Sequence, residues 1–248
     1  MDVNRAISVD APNVKVREDA FIILARPQGG WDLSIIIPFP HNGEDVLRLP
    51  HPRHEDIRWN YSDRLSVDTY SSAMSMDFMI SEDGTITFMH ARTCTCILEA
   101  TYTITEVDCF LQSGGGHPFI RLLPKVTKVI RYHSSFPLNA NKNIEVMLTA
   151  CSAAAASFMA KQGRSLLYLS WKGTSAPRVL SLFPLPHAYG DFAAYARFTS
   201  PFRRREDKVN LACLLAASMD LPEPFDHATM ARQCSMAAKT IKAAVLTT

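Results

Sequence analysis

The spacing of apolar positions changes near the middle of the chain. In the first half they fall in dense runs closed by proline or glycine; in the second they recur every three or four residues. WDLSIIIPFP is a buried run that stops at its prolines and predicts a strand. In MDFMISEDGTITFMHARTCTCILEATYTI, Asp83-Gly84 stands between two β-rich runs, which predicts a tight hairpin. Residues 40–62 are polar and proline-punctuated, which predicts a loop. TEVDCFLQSGGGHP predicts a short helix stopped by glycines 114 to 116. NIEVMLTACSAAAASFMAKQG places Val146, Met147, Ala150, Ala154, Phe158 and Met159 near helical spacing and halts at Gly163. LLYLSW reads as a short strand. A helix is expected from Ser200 to about Met219. A last one is expected over HATMARQCSMAAKTIKAAVL, with Met230, Cys234, Ala237 and Ile241 as its apolar side. Strands first and helices later make an α+β arrangement.

Composition narrows the function classes. A chain of 248 residues, 47% hydrophobic, is long enough to bury a substantial core as one large domain or two small ones. Its formal charge of +2 sets up no long-range field, so any nucleic-acid contact must be local. Cys94, Cys96, Cys109, Cys151, Cys213 and Cys234 show no paired zinc spacing. With no secretory signal at the N-terminus they are expected to be reduced thiols in an intracellular compartment. Cytoplasm, nucleus and mitochondrial matrix are not distinguished, and a removed presequence stays open. IEVMLTACSAAAASFMA contains Glu145 and reads as too short and too mild for a membrane span. His41, His51, His54 and His90 form no metal-ligand pattern. GGGH at 114–117 reads as a helix stop rather than a nucleotide cradle, and no serine lies in a nucleophile elbow.

Two stretches carry candidate chemistry. In AYARFTSPFRRREDKVNLACLLA, residues 194–216, Ser200 is a good N-cap and Pro201 suits the first helical position. That puts Arg203, Arg204 and Arg205 in the first turn, where each cation is disfavoured by roughly 0.3–1 kcal/mol. Either the arginines lean back into water or an anion is held there. In SVDAPNVKVREDAF, Asp10, Glu18 and Asp19 gather ahead of a strand. Clustered carboxylates repel unless a cation intervenes, and hard oxygen ligands suit Mg²⁺. Taken alone, they read as exposed acids on a polar turn.

Together these residues resemble a known family. YARFTSPFRRREDKVNLACLL resembles the arginine motif of the RNase II-type (RNB-domain) 3′→5′ exoribonucleases: an aromatic, Phe-Thr-Ser-Pro, a hydrophobic residue, two arginines, and an Asp four residues after the first. SVDAPNVKVREDAF fits without a gap that family's Thr-Ile-Asp-Pro followed by Asp-x-Asp-Asp-Ala. GWDLSIIIPFP, MDFMISEDGTI, TYTITEV, the long helix with its strand, and the closing helix from His227 to Ala244 resemble further pieces in order. The resemblance implies an RNB fold, a twisted β-sheet core with helices packed around it, in a single domain over 1–248; the OB-type barrels that flank this domain in active relatives are expected to be absent. It implies Asp10, Glu18, Asp19 and Arg203 as the catalytic set, with the three carboxylates as metal ligands if a metal is retained. It implies Tyr195, Ser200, Arg203, Arg204 and Arg205 as the contacts for RNA phosphates.

The departures shape the functional expectation. The family's second aspartate falls on Val16, which has no ligand atom, and the third on Glu18, one methylene longer. Catalytic geometry tolerates only about 0.5 Å of slack. The family's His and Asp on the following strand fall on Ile36 and Phe39, and its Asn-Glu pair on Cys151 and Ser152. Its Arg and His fall on Leu169 and Trp171, and its tyrosine after the arginines on Arg205. The domain is also shorter than the family's near 40–62 and between Trp171 and His187. The expectation is a catalytically degenerate RNB-domain protein: a structural or RNA-contacting subunit of a ribonucleoprotein assembly, with protein partners, possible contact to single-stranded RNA, no membrane and no cofactor. The alternative is an active Mg²⁺-dependent hydrolytic 3′→5′ exoribonuclease releasing nucleoside monophosphates.

Overall fold

The computed structural model describes residues 3–11, 14, 16–40, 43–48, 64–130, 139–170, 178–187 and 192–246. They divide into two compact units, Met1–Pro40 with Asn60–Cys151, and His41–Trp59 with Ser152–Thr248.

The first unit is built on five strands: β1 (Val3–Asp10), β2 (Ala20–Ala25), β3 (Trp31–Pro38), β4 (Ser71–Ile80) and β5 (Ile86–Thr103). Neighbours pair antiparallel from β1 through β5, and β5 then pairs parallel with β1, closing the sheet into a barrel. Closure depends on β5, whose length lets it pair with β4 over one stretch and β1 over another. Irregularities at Asp77/Phe78 and Ala6/Ile7 adjust its register. Ala6, Ala20, Ala73 and Cys96 pack with Ile36, Leu65 and Leu98, small side chains that allow close approach. Cys94 packs partly against the same cluster, as period-two spacing from Cys96 requires. Burial, and then Cys94 beside it, push the Cys96 thiol up to about 12, so it stays protonated and inert.

The Asp83-Gly84 turn joins β4 to β5 as expected. Ser81 N–H donates to Thr85 O and Gly84 N–H to Ser81 O, both at 3.0 Å, while the Asp83 carboxylate accepts from Thr85 N–H. Gly84 has φ +84°, and a Cβ there would lie 1.8 Å from Val129 O at the end of a helix. Gly84→Ala is therefore expected to cost about 2–3 kcal/mol, left-handed strain plus a forced shift of the turn. A urea midpoint unchanged from wild type would mean that the turn does not rest on that helix.

Helix α2 (Ile104–Ser113) follows β5 and is delimited by local chemistry. The Thr103 hydroxyl accepts from Glu106 N–H at 3.2 Å, and the Glu106 carboxylate accepts from Thr103 N–H at 2.7 Å. Gly114 ends the helix at φ +72°. Helix α3 (Pro118–Val129) is not legible as a helix in the sequence, because it carries two prolines. Pro118 occupies the first turn, where its missing N–H costs nothing, and His117 Nδ1 accepts from Phe119 N–H. Pro124 interrupts the helical ladder, yet Ile120, Leu123, Val126 and Thr127 are buried and hold the helix in place. Helix α4 (Ala140–Lys161) starts where the Asp108 carboxylate accepts Ala140 N–H at 2.7 Å, and stops at Gly163 with φ +66°. By length and composition α4 could cross a membrane, which corrects the sequence reading of this stretch as too short and too mild. Its most apolar window is 56% buried inside the protein, as a core helix would be.

In the second unit, helix α1 (Gly43–Leu47) falls inside the stretch expected to be a loop. Glu44 and Arg48 pair across one of its turns at 3.1 Å, and residues 49–63 lie outside the described residues. Strand β6 (Tyr168–Ser170) pairs antiparallel with β7 (Val179–Ser181). Helix α5 (Arg205–Ser218) is buried continuously from Val209 to Ala216, and α6 (His227–Leu246) buries Met230 and Ala237. A helix apolar all round belongs in a core. One polar residue interrupts it: Asn210.

Candidate functional site

The acidic stretch lies in the first unit, at the end of β1 and the start of β2. These strands are antiparallel with Ile7 opposite Phe21. Asp10 Oδ2 accepts a hydrogen bond from Ser8 Oγ, and Arg17 Nε lies 4.0 Å from the same oxygen. Burial raises the Asp10 pKa most. The Ser8 bond and the Arg17 charge oppose that, and the nearby Glu18 carboxylate adds to it. Val16 and Asp19 are half-buried on the same turn. Among the described residues no three of His, Cys, Asp and Glu stand close enough to share a metal ion. Val16 contributes no oxygen, and the cation beside Asp10 is a guanidinium.

The arginine motif lies in the second unit, and here the structure corrects the helix start. Ser200 is not the N-cap. Its C=O accepts from Arg204 N–H at 3.0 Å, its N–H donates to Asp207 Oδ2 at 2.7 Å, and its hydroxyl accepts from Arg203 Nη2 at 3.0 Å. Ser200 and Pro201 therefore make a tight turn, and α5 begins at Arg205 after Arg204. The acids Glu206 and Asp207 occupy the first turn instead of three arginines. The cation penalty at the helix dipole is thus met by the chain's own carboxylates.

The three arginines have three different surroundings. Arg203 is exposed and braced on Ser200. Arg204 Nη1 lies 3.6 Å from Asp207 Oδ2, and burial weakens its hold on the proton while Asp207 opposes that. Arg205 Nη1 donates to Gln233 Oε1 on α6 at 2.9 Å, and Gln233 is buried. Of the three, Arg203 is the most exposed residue.

Sequence reasoning missed the support beneath this turn. Asp207 is fully buried, its Oδ1 has no hydrogen-bond partner among the described residues, and burial pushes its carboxyl up to about 7 against the pull of Arg204. Arg197 Nη1 pairs with the buried Glu206 at 3.3 Å. Tyr195 lies 4.4 Å from His187, ring centre to ring centre, and burial raises its phenol pKa while Arg197 opposes the rise. Asn210 donates to Leu167 O and Arg197 O and accepts Leu167 N–H, tying α5 to the segments on either side. The signal for Asn210 was present: a lone amide inside an apolar helical run must find buried partners.

Of the other positions at which the chain departs from the family's pattern, those described lie in the core. Ile36, Phe39 and Cys151 are fully buried, Ser152 and Leu169 nearly so, and Trp171 lies outside the described residues. Burial raises the Cys151 thiol pKa, so it stays a neutral, apolar group.

Known structures share this architecture. No protein-family model and no curated protein matches the sequence. Among solved structures, the Dss1 exoribonuclease active-site mutant from Candida glabrata is similar with TM-score 0.76 and 14% identity, over 99% of this chain and 44% of that one. Mycoplasma genitalium RNase R in complex with ribose-methylated single-stranded RNA is similar with TM-score 0.69 and 13% identity, over 96% of this chain and 55% of that one. Yeast Ssd1, a pseudonuclease, is similar with TM-score 0.66 and 11% identity, over 94% of this chain and 41% of that one. The chain thus spans about half the length of the structures it matches. It has the RNB fold, an architecture it shares with exoribonucleases and a pseudonuclease alike.

Proposed function

We propose that this chain is an RNB domain that has kept the fold and lost the nuclease chemistry, serving as a structural or RNA-contacting subunit of an RNA-processing assembly inside the cell. One observation carries the reading: the Asp10 carboxylate accepts a hydrogen bond from Ser8 with the Arg17 guanidinium 4.0 Å away, on a turn where Val16 offers no oxygen. Two-metal phosphodiester hydrolysis needs a clamp on both the attacking and the leaving oxygen. Losing one ligand and lengthening another forfeits several kcal/mol of that clamp, and each 1.36 kcal/mol is about tenfold in rate. The exposed Arg203, braced on Ser200, supports a retained contact to phosphate, as does the fold shared with RNA-bound RNase R. Supporting the alternative, a working Mg²⁺-dependent exoribonuclease, are the carboxylates kept at Asp10, Glu18 and Asp19.

The test is incubation of the purified chain with a 5′-labelled single-stranded RNA and Mg²⁺. The expected outcome is no shortening, together with RNA crosslinking that Arg203→Ala weakens. Processive 3′-end degradation that Asp19→Asn abolishes would establish the alternative, and a crosslink yield indifferent to Arg203→Ala would remove that residue from the interface.

A further inference from the structure

We infer that the outward face of α3 is a second RNA contact, an electrostatic track for the phosphates of a single strand; this rests on the RNA-contacting reading above. The inward face of the helix is Ile120, Leu123, Val126 and Thr127, all buried. Arg121, Lys125 and Lys128 are exposed on the other side. Their spacing of four and then three residues keeps them within a narrow stripe, about 6 Å and then about 4.5 Å apart along the axis. These steps are of the order of the distance between successive phosphates on a polynucleotide.

None of the three side chains has a hydrogen bond, ion pair or ring contact among the described residues. Several cations elsewhere are matched by acids: Arg5 by Glu99, Arg26 by Asp32, Arg48 by Glu44, Arg197 by Glu206. Helix α3 contains no acid at all. Like charges at this spacing destabilise a helix, and this helix already carries Pro124. A polyanion converts that repulsion into attraction. An acidic protein partner would be drawn by the same charge, but protein interfaces need buried apolar or aromatic anchors. Helix α3 has no exposed large hydrophobic residue. Phosphate contacts need only the cations. Because no group on this face is shaped to read a base, the track binds without regard to sequence.

The test compares the full chain with the triple variant Arg121→Gln, Lys125→Gln, Lys128→Gln on fluorescent oligo(U) and oligo(A), titrated at salt from about 50 to 200 mM. The variant is expected to bind both more weakly and by the same factor. Its plot of log affinity against log salt should be shallower by about 2, roughly 0.7 for each cation removed. Lys125→Arg, which keeps the charge, should retain the wild-type slope. A wild-type slope in the triple variant, with its urea midpoint unchanged, overturns the inference and leaves the functional reading standing. Absence of RNA binding by the wild-type chain at every salt overturns both. Unchanged RNA binding with loss of a subunit from the native assembly would make α3 a protein contact instead.

Discussion

Replacing Asp207 by alanine is expected to lower stability by about 3 kcal/mol, while Asp207→Asn should cost no more than about 1 kcal/mol. The carboxylate accepts the buried Ser200 N–H and faces Arg204. Alanine leaves both without a partner, and an orphaned buried donor alone costs about 1–3 kcal/mol. Removing the carboxylate also removes its own desolvation cost, which keeps the net loss below the sum. Asparagine retains the acceptor for Ser200 N–H. The pH dependence separates these effects. The carboxyl's folded-state pKa of about 7 lies above its ordinary 3.8, so between those values the folded protein binds a proton that the unfolded chain releases. The Asp207 contribution to stability therefore falls as pH rises from about 4 to about 7, then levels off. Urea midpoints of wild type and Asp207→Asn at pH 5 and pH 8 read this directly. The wild type should lose ground against the variant at the higher pH. A difference that is flat, or that runs the other way, would mean the buried carboxyl keeps its ordinary affinity for protons.

The larger loss is expected at Asn210. This side chain is fully buried and makes three hydrogen bonds: from Leu167 N–H at 2.8 Å, to Leu167 O at 3.1 Å and to Arg197 O at 3.0 Å. Asn210→Ala strands three buried backbone groups and opens a cavity, for a loss of about 4–5 kcal/mol. Asn210→Leu fills the space and strands the same groups, so it should recover little. Because Asn210 also holds the segment that carries Arg197, either variant should weaken RNA crosslinking through Arg203 in protein that remains folded. Thermal denaturation with both variants within about 1 kcal/mol of wild type would show those backbone groups to be satisfied by water.

Strands β3 and β6, the Asp83-Gly84 hairpin, the long helix with its stop at Gly163, and the closing helix were legible because each is set by local period and punctuation. The RNB fold was legible because the motifs stand in order along the chain. Helix α3 was not: its two prolines argue against a helix locally, and only burial of Ile120, Leu123 and Val126 decides otherwise. The start of α5 was misplaced for a related reason. Ser200 has the chemistry of a cap, but Asp207, seven residues on, reaches back and takes its N–H.

What the sequence determined by itself was therefore the alternation of elements and the inventory of chemistry: acids at 10, 18 and 19, an aliphatic at 16, arginines at 203 to 205. Spacing and residue type are one-dimensional and survive inspection of the chain alone. Which arginine stays exposed, which acid lies beside a guanidinium, and which carboxyl is raised in pKa by burial were decided by the tertiary structure. Those outcomes depend on burial and on partners brought from elsewhere in the chain: Gln233 for Arg205, Asp207 for Ser200, Leu167 for Asn210. Burial sets the cost of a charge, and only the packed chain sets the burial.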